Sequence, residues 1–195
     1  MATNPNKVIF TGENSGLTLS QKEGEAPSTR SSHWRVLWSP AGMGHVLYIQ
    51  SELTNNERRI YSDNIALTRW LQEGIYGSLS PAWGESDALK IPVIDSEFSR
   101  EGDSNTFWTE RIESDTDSIT MTWYDFLEPF AFGWDIGDKP DSDLGVSTVV
   151  IPGGRAQLAI NGVAAAGQAF TKDQDGRPSS TCCLAISETW IQPYK

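Results

Sequence analysis

Short runs of β-branched and aromatic residues, each ended by a turn signal, recur along most of this chain. Two clear examples are 34–38 and 46–50, which are separated by a segment containing Pro40, Gly42 and Gly44. Similar runs follow at 90–94, 97–99, 107–113, 118–126, 146–151, 155–160 and 181–191. This pattern of about nine strands, with little helix for parallel crossovers, predicts a mainly β fold, either an antiparallel β-barrel or a sandwich.

Turn and cap signals divide these runs. Asn161-Gly162 is a strong two-residue hairpin signal, and Asp175-Gly176 marks another turn. One short helix is predicted after the capping segment 62–64, and Gly74 is expected to end it. In strand count and size, the chain resembles small ligand-binding barrels of the calycin type.

Composition predicts where the folded part begins. The chain has 195 residues, of which 38% are hydrophobic and 21% are charged. That length is sufficient for one β domain with a substantial core. Residues 1–32 are rich in small and polar side chains, so we expect a flexible N-terminal arm or loop with at most one short strand. A single β-barrel domain is then expected over residues 33–195.

The charge of the chain argues against several partner classes. The formal net charge is −11 and the sequence pI is about 4.5, so the average field repels nucleic acid and anionic membranes. Residues 1–7 lack the apolar stretch of a secretory signal, and no segment has the ~18 apolar residues of a spanning helix. We therefore expect a cytoplasmic protein with no membrane or nucleic-acid partner.

Cofactor and metal signatures are missing from the sequence. It contains no glycine-rich phosphate loop, dinucleotide fingerprint or zinc-protease motif. His33 and His45 flank a predicted hairpin, but two imidazoles without a third ligand make a poor metal site. Cys182 and Cys183 are adjacent and are expected to be free, buried thiols. We expect no cofactor and no metal.

Three acids fall among residues that strand alternation predicts to face inward. The shared faces are Trp108, Glu110 and Ile112; Met121, Trp123, Asp125 and Leu127; and Leu184, Ile186, Glu188 and Trp190. Glu110, Asp125 and Glu188 are therefore candidate catalytic acids or bases, because an apolar interior raises the pKa of a carboxyl group. The alternative is that arginines, with Arg35, Arg69, Arg111 and Arg155 as candidates, pair with these acids for stability.

Eight tryptophans, five tyrosines and seven phenylalanines indicate an aromatic interior or pocket. The candidate pocket walls are Trp108, Trp123, Trp134 and Trp190, and the candidate hydrogen-bonding residues are Tyr61, Tyr124 and Asn161. The densest aromatic segment is 123–135. Its second half is predicted to be a loop that either plugs the core or covers a cavity.

These features favour a cofactor-independent lyase, isomerase or cyclase. The substrate would be a small hydrophobic molecule of terpenoid, aromatic or polyketide character, and carboxyl groups would transfer the proton. The alternative is a non-catalytic carrier of a lipophilic molecule, and a third hypothesis is a module whose exposed aromatic residues bind another protein. The sequence leaves open whether the chain forms a homo-oligomer.

Overall fold

The computed structural model describes residues 6–138 and 142–194. The strands are β1 (Asn6–Leu19), β2 (Thr29–Trp38), β3 (Gly44–Ser51), β4 (Arg58–Ser62), β5 (Val93–Asp95), β6 (Glu97–Gly102), β7 (Phe107–Glu113), β8 (Ser118–Phe126), β9 (Phe130–Trp134), β10 (Gly145–Ile160), β11 (Val163–Ala164), β12 (Thr171–Gln174), β13 (Arg177–Ser180) and β14 (Cys182–Pro193). The helices are α1 (Ile65–Glu73), α2 (Ile75–Leu79) and α3 (Pro81–Gly84), with single 3₁₀ turns at Glu52–Thr54 and Ala88–Lys90.

One curled sheet dominates the molecule. Its strand order is β5-β4-β3-β2-β1-β14-β10-β8-β7-β6, and it forms a nearly closed barrel. The two end strands, β5 and β6, are neighbours in sequence, with only Ser96 between them. The pairing is antiparallel except between β4 and β5, and β9 and β11 add to β10. The prediction of a mainly β, barrel-like fold is confirmed.

Local turn chemistry agrees with the structure. Asn161 and Gly162 both have positive φ, at 52° and 79°, in the turn between β10 and β11. Asp175 and Gly176 join β12 to β13 in the same way. Helix α1 begins after Asn64, whose side-chain oxygen accepts a hydrogen bond from the Leu67 N–H at 3.0 Å. These are the short-range features that sequence specifies best.

The N-terminal residues are a correction to the sequence-based expectation. Residues 6–19 form β1, which pairs with both β2 and β14 near the middle of the sheet. Residues 29–32, also expected in the arm, begin β2. β1 is a central strand although it is polar, because its polar side chains have hydrogen-bond partners on both faces of the sheet. Ser15 donates a hydrogen bond to Glu110 at 3.4 Å on one face, and Asn14 donates to Ser32 at 2.8 Å on the other.

The aromatic segment 123–135 also differs from its prediction. β8 ends at Phe126, and after Pro129 the chain re-enters the sheet as β9, which pairs with β10. The expected loop, whether core plug or lid, is therefore mainly a strand. Pro129 cannot donate a ladder hydrogen bond, which fits a break at this point rather than the end of strand structure.

Two apolar clusters lie on opposite faces of the sheet. The inner one includes Leu17, Leu47, Ile112, Met121, Trp123, Leu158 and Leu184. The outer one includes Phe10, Trp34, Tyr48, Leu71, Tyr76, Trp83 and Trp190, where the three helices pack on the sheet. Within the described residues, no helix is both long enough and apolar enough to span a bilayer. The helices cover only part of the outer face of the sheet.

Candidate functional site

An apolar concavity lies on the outer face of the sheet, beside the helices. It has a volume of about 310 Å³, and we call it the aromatic groove. Its lining residues are Asn14, Ser32, Trp34, Tyr76, Leu79, Phe132, Trp134, Val146, Thr148, Val150, Gln174, Cys183, Ala185, Glu188 and Trp190. Strands β1, β2, β9, β10 and β14 supply its floor, and α2 supplies part of one wall. Binding sites for small molecules are typically concave and aromatic in this way.

The aromatic rings of the groove meet edge to face. Trp134 contacts Trp190 with ring centroids 5.5 Å apart and Phe132 with centroids 5.8 Å apart. Trp34 contacts Tyr76 at 5.7 Å with the rings inclined by 66°. Perpendicular rings hold one another in place. The groove is therefore bordered by large side chains in fixed orientations.

Among the described residues of this lining, Glu188 is the one that has a carboxyl group. Glu188 is only 5% exposed. The Trp190 indole N–H donates a hydrogen bond to its Oε1 at 2.5 Å. Among the described lining residues there is no lysine, arginine or histidine. A buried carboxyl group without a cationic partner is costly to ionise, so its protonation state is sensitive to whatever occupies the groove.

Burial sets the pKa of Glu188. Loss of hydration raises the pKa of this carboxyl group to about 7, and the hydrogen bond from Trp190 only partly opposes the rise. The Cys183 thiol, which lines the same groove, also has its pKa raised by burial. Both cysteines are free. Glu188 can therefore gain or lose a proton near neutral pH, whereas the thiol stays protonated.

A bulge in β14 explains why Glu188 is in this groove. Ser187 has a positive φ of 55°, and the pairing of β14 with β1 shifts register between Gly12/Glu188 and Asn14/Ala185. Side chains after the bulge consequently face opposite to the alternation before it. Leu184 lies in the inner cluster, but Trp190 lies in the outer one. The expectation that Glu188 shares an interior with the other two acids is therefore wrong.

Glu110 lies inside the barrel, as expected, but in an ion-pair network. Arg100 Nε donates a hydrogen bond to its Oε1 at 2.9 Å, and the Trp108 indole N–H donates at 2.8 Å. The same guanidinium donates to Glu13 at 2.7 Å and lies 4.2 Å from the centroid of the Trp108 ring. Burial would raise the pKa of Glu110, but His33 and Arg100 outweigh it and hold the pKa at about 2. Glu110 is thus a permanently ionised structural carboxylate at neutral pH.

Two histidines extend this network. His33 Nδ1 lies 3.7 Å from Glu110 Oε2, and its Nε2 lies 3.1 Å from His45 Nδ1. Phe98 stacks on both imidazole rings. Burial lowers the pKa of His45 to about 4, so it is neutral at physiological pH. Over residues 6–138 and 142–194, no three His, Cys, Asp or Glu residues are grouped as metal ligands.

Asp125 does not face the interior, so its prediction is wrong. It is exposed, has a positive φ of 54°, and pairs with Arg155 rather than facing the interior. The hydrogen bond from Arg155 lowers its pKa. Arg155 also lies over the Tyr124 ring, 4.6 Å from its centroid. Tyr124 borders a separate, more polar cavity of about 280 Å³ that shares no lining residue with the aromatic groove.

The remaining predicted site residues are spread over the barrel. Tyr61 donates a hydrogen bond to Asp117 at 2.8 Å, and the Asn161 amide donates to the same carboxylate at 3.2 Å. Tyr61 and Asn161 therefore bind Asp117, and neither residue lines the aromatic groove. Trp123 lies in the inner cluster and donates to the Gly16 carbonyl at 3.1 Å, and Trp108 packs against that cluster.

The aromatic groove thus contains Glu188, Trp134 and Trp190 from the predicted site. It also contains Trp34 and Tyr76, which sequence reasoning missed. Trp34 and His33 are adjacent in β2, so their side chains face opposite sides of the sheet. The sequence does not indicate which of these sides the helices cover. Tyr76 follows Gly74, where the helix was expected to end, although a second helix begins at once.

Neither the known protein families, nor the curated proteins, nor the solved structures include a match to this chain.

Proposed function

We propose that the aromatic groove binds a small hydrophobic molecule and that Glu188 exchanges a proton with it. The observation that carries this proposal is a nearly buried carboxyl group, in an aromatic groove, without a cation beside it among the described residues. Such a group is an effective acid and base near neutral pH, because its pKa lies close to the working pH.

The proposed reaction class follows from the number of groove side chains that can exchange a proton near neutral pH. The titratable side chains that line the described groove are Tyr76, Cys183 and Glu188. Burial raises the pKa of Tyr76 to about 12 and also raises that of Cys183, so neither is a base at neutral pH. One carboxyl group can remove a proton and return it elsewhere on the same molecule. Of the lyase, isomerase and cyclase classes, the groove therefore best supports a cofactor-independent isomerase.

The second candidate is a carrier that binds the same molecule without converting it. The observation favouring it is that, of the three titratable side chains in the described lining, only Glu188 titrates near neutral pH, because many enzymes pair a base with a separate acid. Both candidates require ligand binding in the groove. They differ in whether Glu188 moves a proton on the bound molecule.

Binding is tested with naphthalene, followed through tryptophan fluorescence, at pH values from 5.5 to 8.5. A neutral ligand further dehydrates Glu188 and so binds best when the carboxyl group is protonated. We expect affinity to fall about 10-fold from the acidic to the alkaline end, since a shift of one pKa unit corresponds to a tenfold change. Glu188→Gln should bind with one affinity throughout.

Two variants serve as controls for this titration. Asp125→Asn removes an exposed carboxyl group and should keep the pH dependence of the wild-type protein. Ala185→Phe places a ring in the groove and should abolish binding. The proposal is overturned if the wild-type protein does not bind naphthalene, if Ala185→Phe binds normally, or if Glu188→Gln keeps the pH dependence.

A further inference from the structure

The Glu188 carboxyl group presents one of its two oxygen atoms to the aromatic groove. Within the described residues, this group accepts a single hydrogen bond, which the Trp190 indole N–H donates to Oε1. Oε2 accepts none from the described residues and is not sealed from solvent. Because Glu188 lines the groove, a molecule bound there can reach this oxygen. The indole thus holds Oε1 and leaves Oε2 to a ligand.

No positive charge from the described lining balances an ionised Glu188. The other titratable lining residues are Tyr76 of α2 and Cys183 of β14, and the lining residues from β1, β2, β9, β10 and β12 are uncharged. Lys172 of β12 affects the pKa of the Cys183 thiol, but the pKa of Glu188 is set by burial and by the hydrogen bond from Trp190. A buried carboxylate without a counter-charge is unfavourable, so a cationic ligand would stabilise it.

The aromatic rings beside Glu188 favour a cation at the same place. Trp190, which donates to the carboxyl group, contacts Trp134 with the two ring planes inclined by 83°. Phe132 meets Trp134 at 78°. In a perpendicular pair, the ring that meets its partner edge-on keeps both π faces clear of that partner. The π face of tryptophan attracts ammonium groups, most strongly where water is excluded. The carboxylate and the rings therefore attract the same kind of charge.

We propose that the groove binds a small hydrophobic amine, whose ammonium group donates a hydrogen bond to Oε2 of ionised Glu188 while its apolar part lies against Trp134 and Trp190. This goes beyond the neutral ligand proposed above and rests on the same groove being a ligand site. A hydrogen bond between two charged groups is about twice as strong as one between neutral groups. The cavity volume of about 310 Å³ suits a small molecule rather than a protein segment.

The two ligand classes require opposite protonation states of Glu188. A neutral aromatic molecule binds best when the carboxyl group is protonated, whereas an ammonium ligand binds best when it is ionised. An alkylammonium group has a pKa of about 10, like that of lysine, and so keeps its charge from pH 5.5 to pH 8.5. Burial raises the pKa of both Tyr76 and Cys183, so neither side chain is ionised at neutral pH. The pH dependence of amine binding therefore reports on Glu188.

The test compares 2-(2-naphthyl)ethylamine with 2-ethylnaphthalene, which has the same rings and carbon chain without the charge. Equilibrium dialysis measures the affinity of the wild-type protein for each compound from pH 5.5 to pH 8.5. The affinity for the amine should rise about 10-fold or more over this range, because the ionised fraction changes tenfold per pH unit below the pKa. The affinity for 2-ethylnaphthalene should fall. This comparison needs no variant and is therefore independent of any effect of mutation on folding.

Variants then assign the charge to Glu188. Glu188→Gln keeps the shape of the side chain but cannot ionise. At pH 8.5 it should bind the amine about 10-fold more weakly than the wild-type protein, without pH dependence, and should bind 2-ethylnaphthalene at least as tightly. Asp125→Asn removes an exposed carboxylate outside the groove and should keep the wild-type profile for the amine. That control separates Glu188 from general attraction to a chain of net charge −11. Melting curves identify any loss of binding that reflects unfolding.

The outcomes separate this inference from the proposed function. If 2-ethylnaphthalene binds but the amine does not, or binds equally at all pH values, the amine inference is overturned and the groove remains a site for neutral molecules. If the affinity for the amine rises with pH equally in Glu188→Gln, the attracting charge lies elsewhere and the inference is also overturned. If the amine binds with the Glu188-dependent rise and 2-ethylnaphthalene does not bind, the inference stands and the proposed neutral-ligand function fails.

Discussion

Glu110 and Glu188 are both nearly fully buried, yet their pKa values move in opposite directions. Burial disfavours the carboxylate form at both positions. At Glu110 a guanidinium group and an imidazole outweigh burial, whereas at Glu188 a single indole hydrogen bond does not. Neighbouring charge thus decides whether a buried carboxyl group is structural or is available for proton exchange.

The Glu110 network is expected to matter for stability. Glu110→Gln removes the more deeply buried of the two carboxylates that Arg100 contacts, so that Glu13 is the one that remains. Breaking a buried pair in this way typically costs about 3 kcal/mol, so the melting temperature should fall by roughly 10 °C for a chain of this size. Asp125→Asn, which breaks an exposed pair, should change the melting temperature little. Similar melting temperatures for the two variants would contradict this assignment.

At the scale of single elements, strand alternation gives the correct faces until a bulge intervenes. Ile112, Met121 and Trp123 all lie in the inner cluster, as the sequence predicts. In β14 the same rule fails after Ser187, because one extra residue reverses every later side chain. Ser187 is neither glycine nor asparagine, so the sequence contains no signal for the bulge. The face on which Glu188 lies could therefore not be predicted from the sequence.

The Ser187 bulge is itself testable. The left-handed conformation is costly for a β-branched side chain and free of strain for glycine. Ser187→Val should therefore destabilise the protein by about 1–2 kcal/mol, while Ser187→Gly should leave stability unchanged or slightly higher. Thr189→Val, two residues further along the same strand, is the control and should have little effect. Urea unfolding of the three variants measures the differences. Equal stabilities for Ser187→Val and Ser187→Gly would argue against the bulge.

Strand β1 shows a second limit of sequence reasoning. Its composition resembles a solvated arm, because strand prediction depends on apolar alternation. The structure buries its polar side chains against other polar side chains, such as Ser15 against Glu110. Hydrogen bonds of this kind depend on residues 95 positions away in sequence. The local pattern therefore contains no trace of them, although it predicts β7 and β8 to the residue.

At the scale of the whole molecule, the sheet separates two chemical environments. Its inner face combines an apolar core with the charged Glu110 network, and its outer face combines the helices with the aromatic groove. The sheet therefore separates the groove from the barrel interior.

Metal removal is expected to leave this architecture unchanged. His33 and His45 contact each other, and no third ligand from the described residues joins them. Melting curves with and without a strong chelator should coincide, and naphthalene affinity should not change. A fall of several degrees on chelation would show that a site has been missed.

His45, Glu110 and Glu188 are three of the buried groups through which stability depends on pH. His45 and Glu110 have lowered pKa values, so their contributions are present at neutral pH and are lost as pH falls, between 6.5 and about 4 for His45 and between 4.5 and about 2 for Glu110. Glu188 has a raised pKa, so its ionisation costs stability as pH rises from 4.5 through about 7. His45 and Glu188 therefore oppose each other over most of the interval from pH 4.5 to pH 6.5.

This opposition predicts how Glu188→Gln changes the pH profile. At pH 8 the variant should be more stable than the wild-type protein by about 3 kcal/mol, because it has no buried carboxyl group to ionise. The difference should shrink as pH falls and vanish below about pH 4, where Glu188 is protonated in both the folded and unfolded states. The wild-type protein should be nearly equally stable from pH 6.5 to pH 4.5, while the variant loses stability there through His45. Urea unfolding of both proteins at matched pH values measures the difference directly, and the net charge of −11 affects both almost equally. A constant difference at all pH values would mean that Glu188 does not titrate near neutral pH, and the proton-exchange proposal would lose its basis.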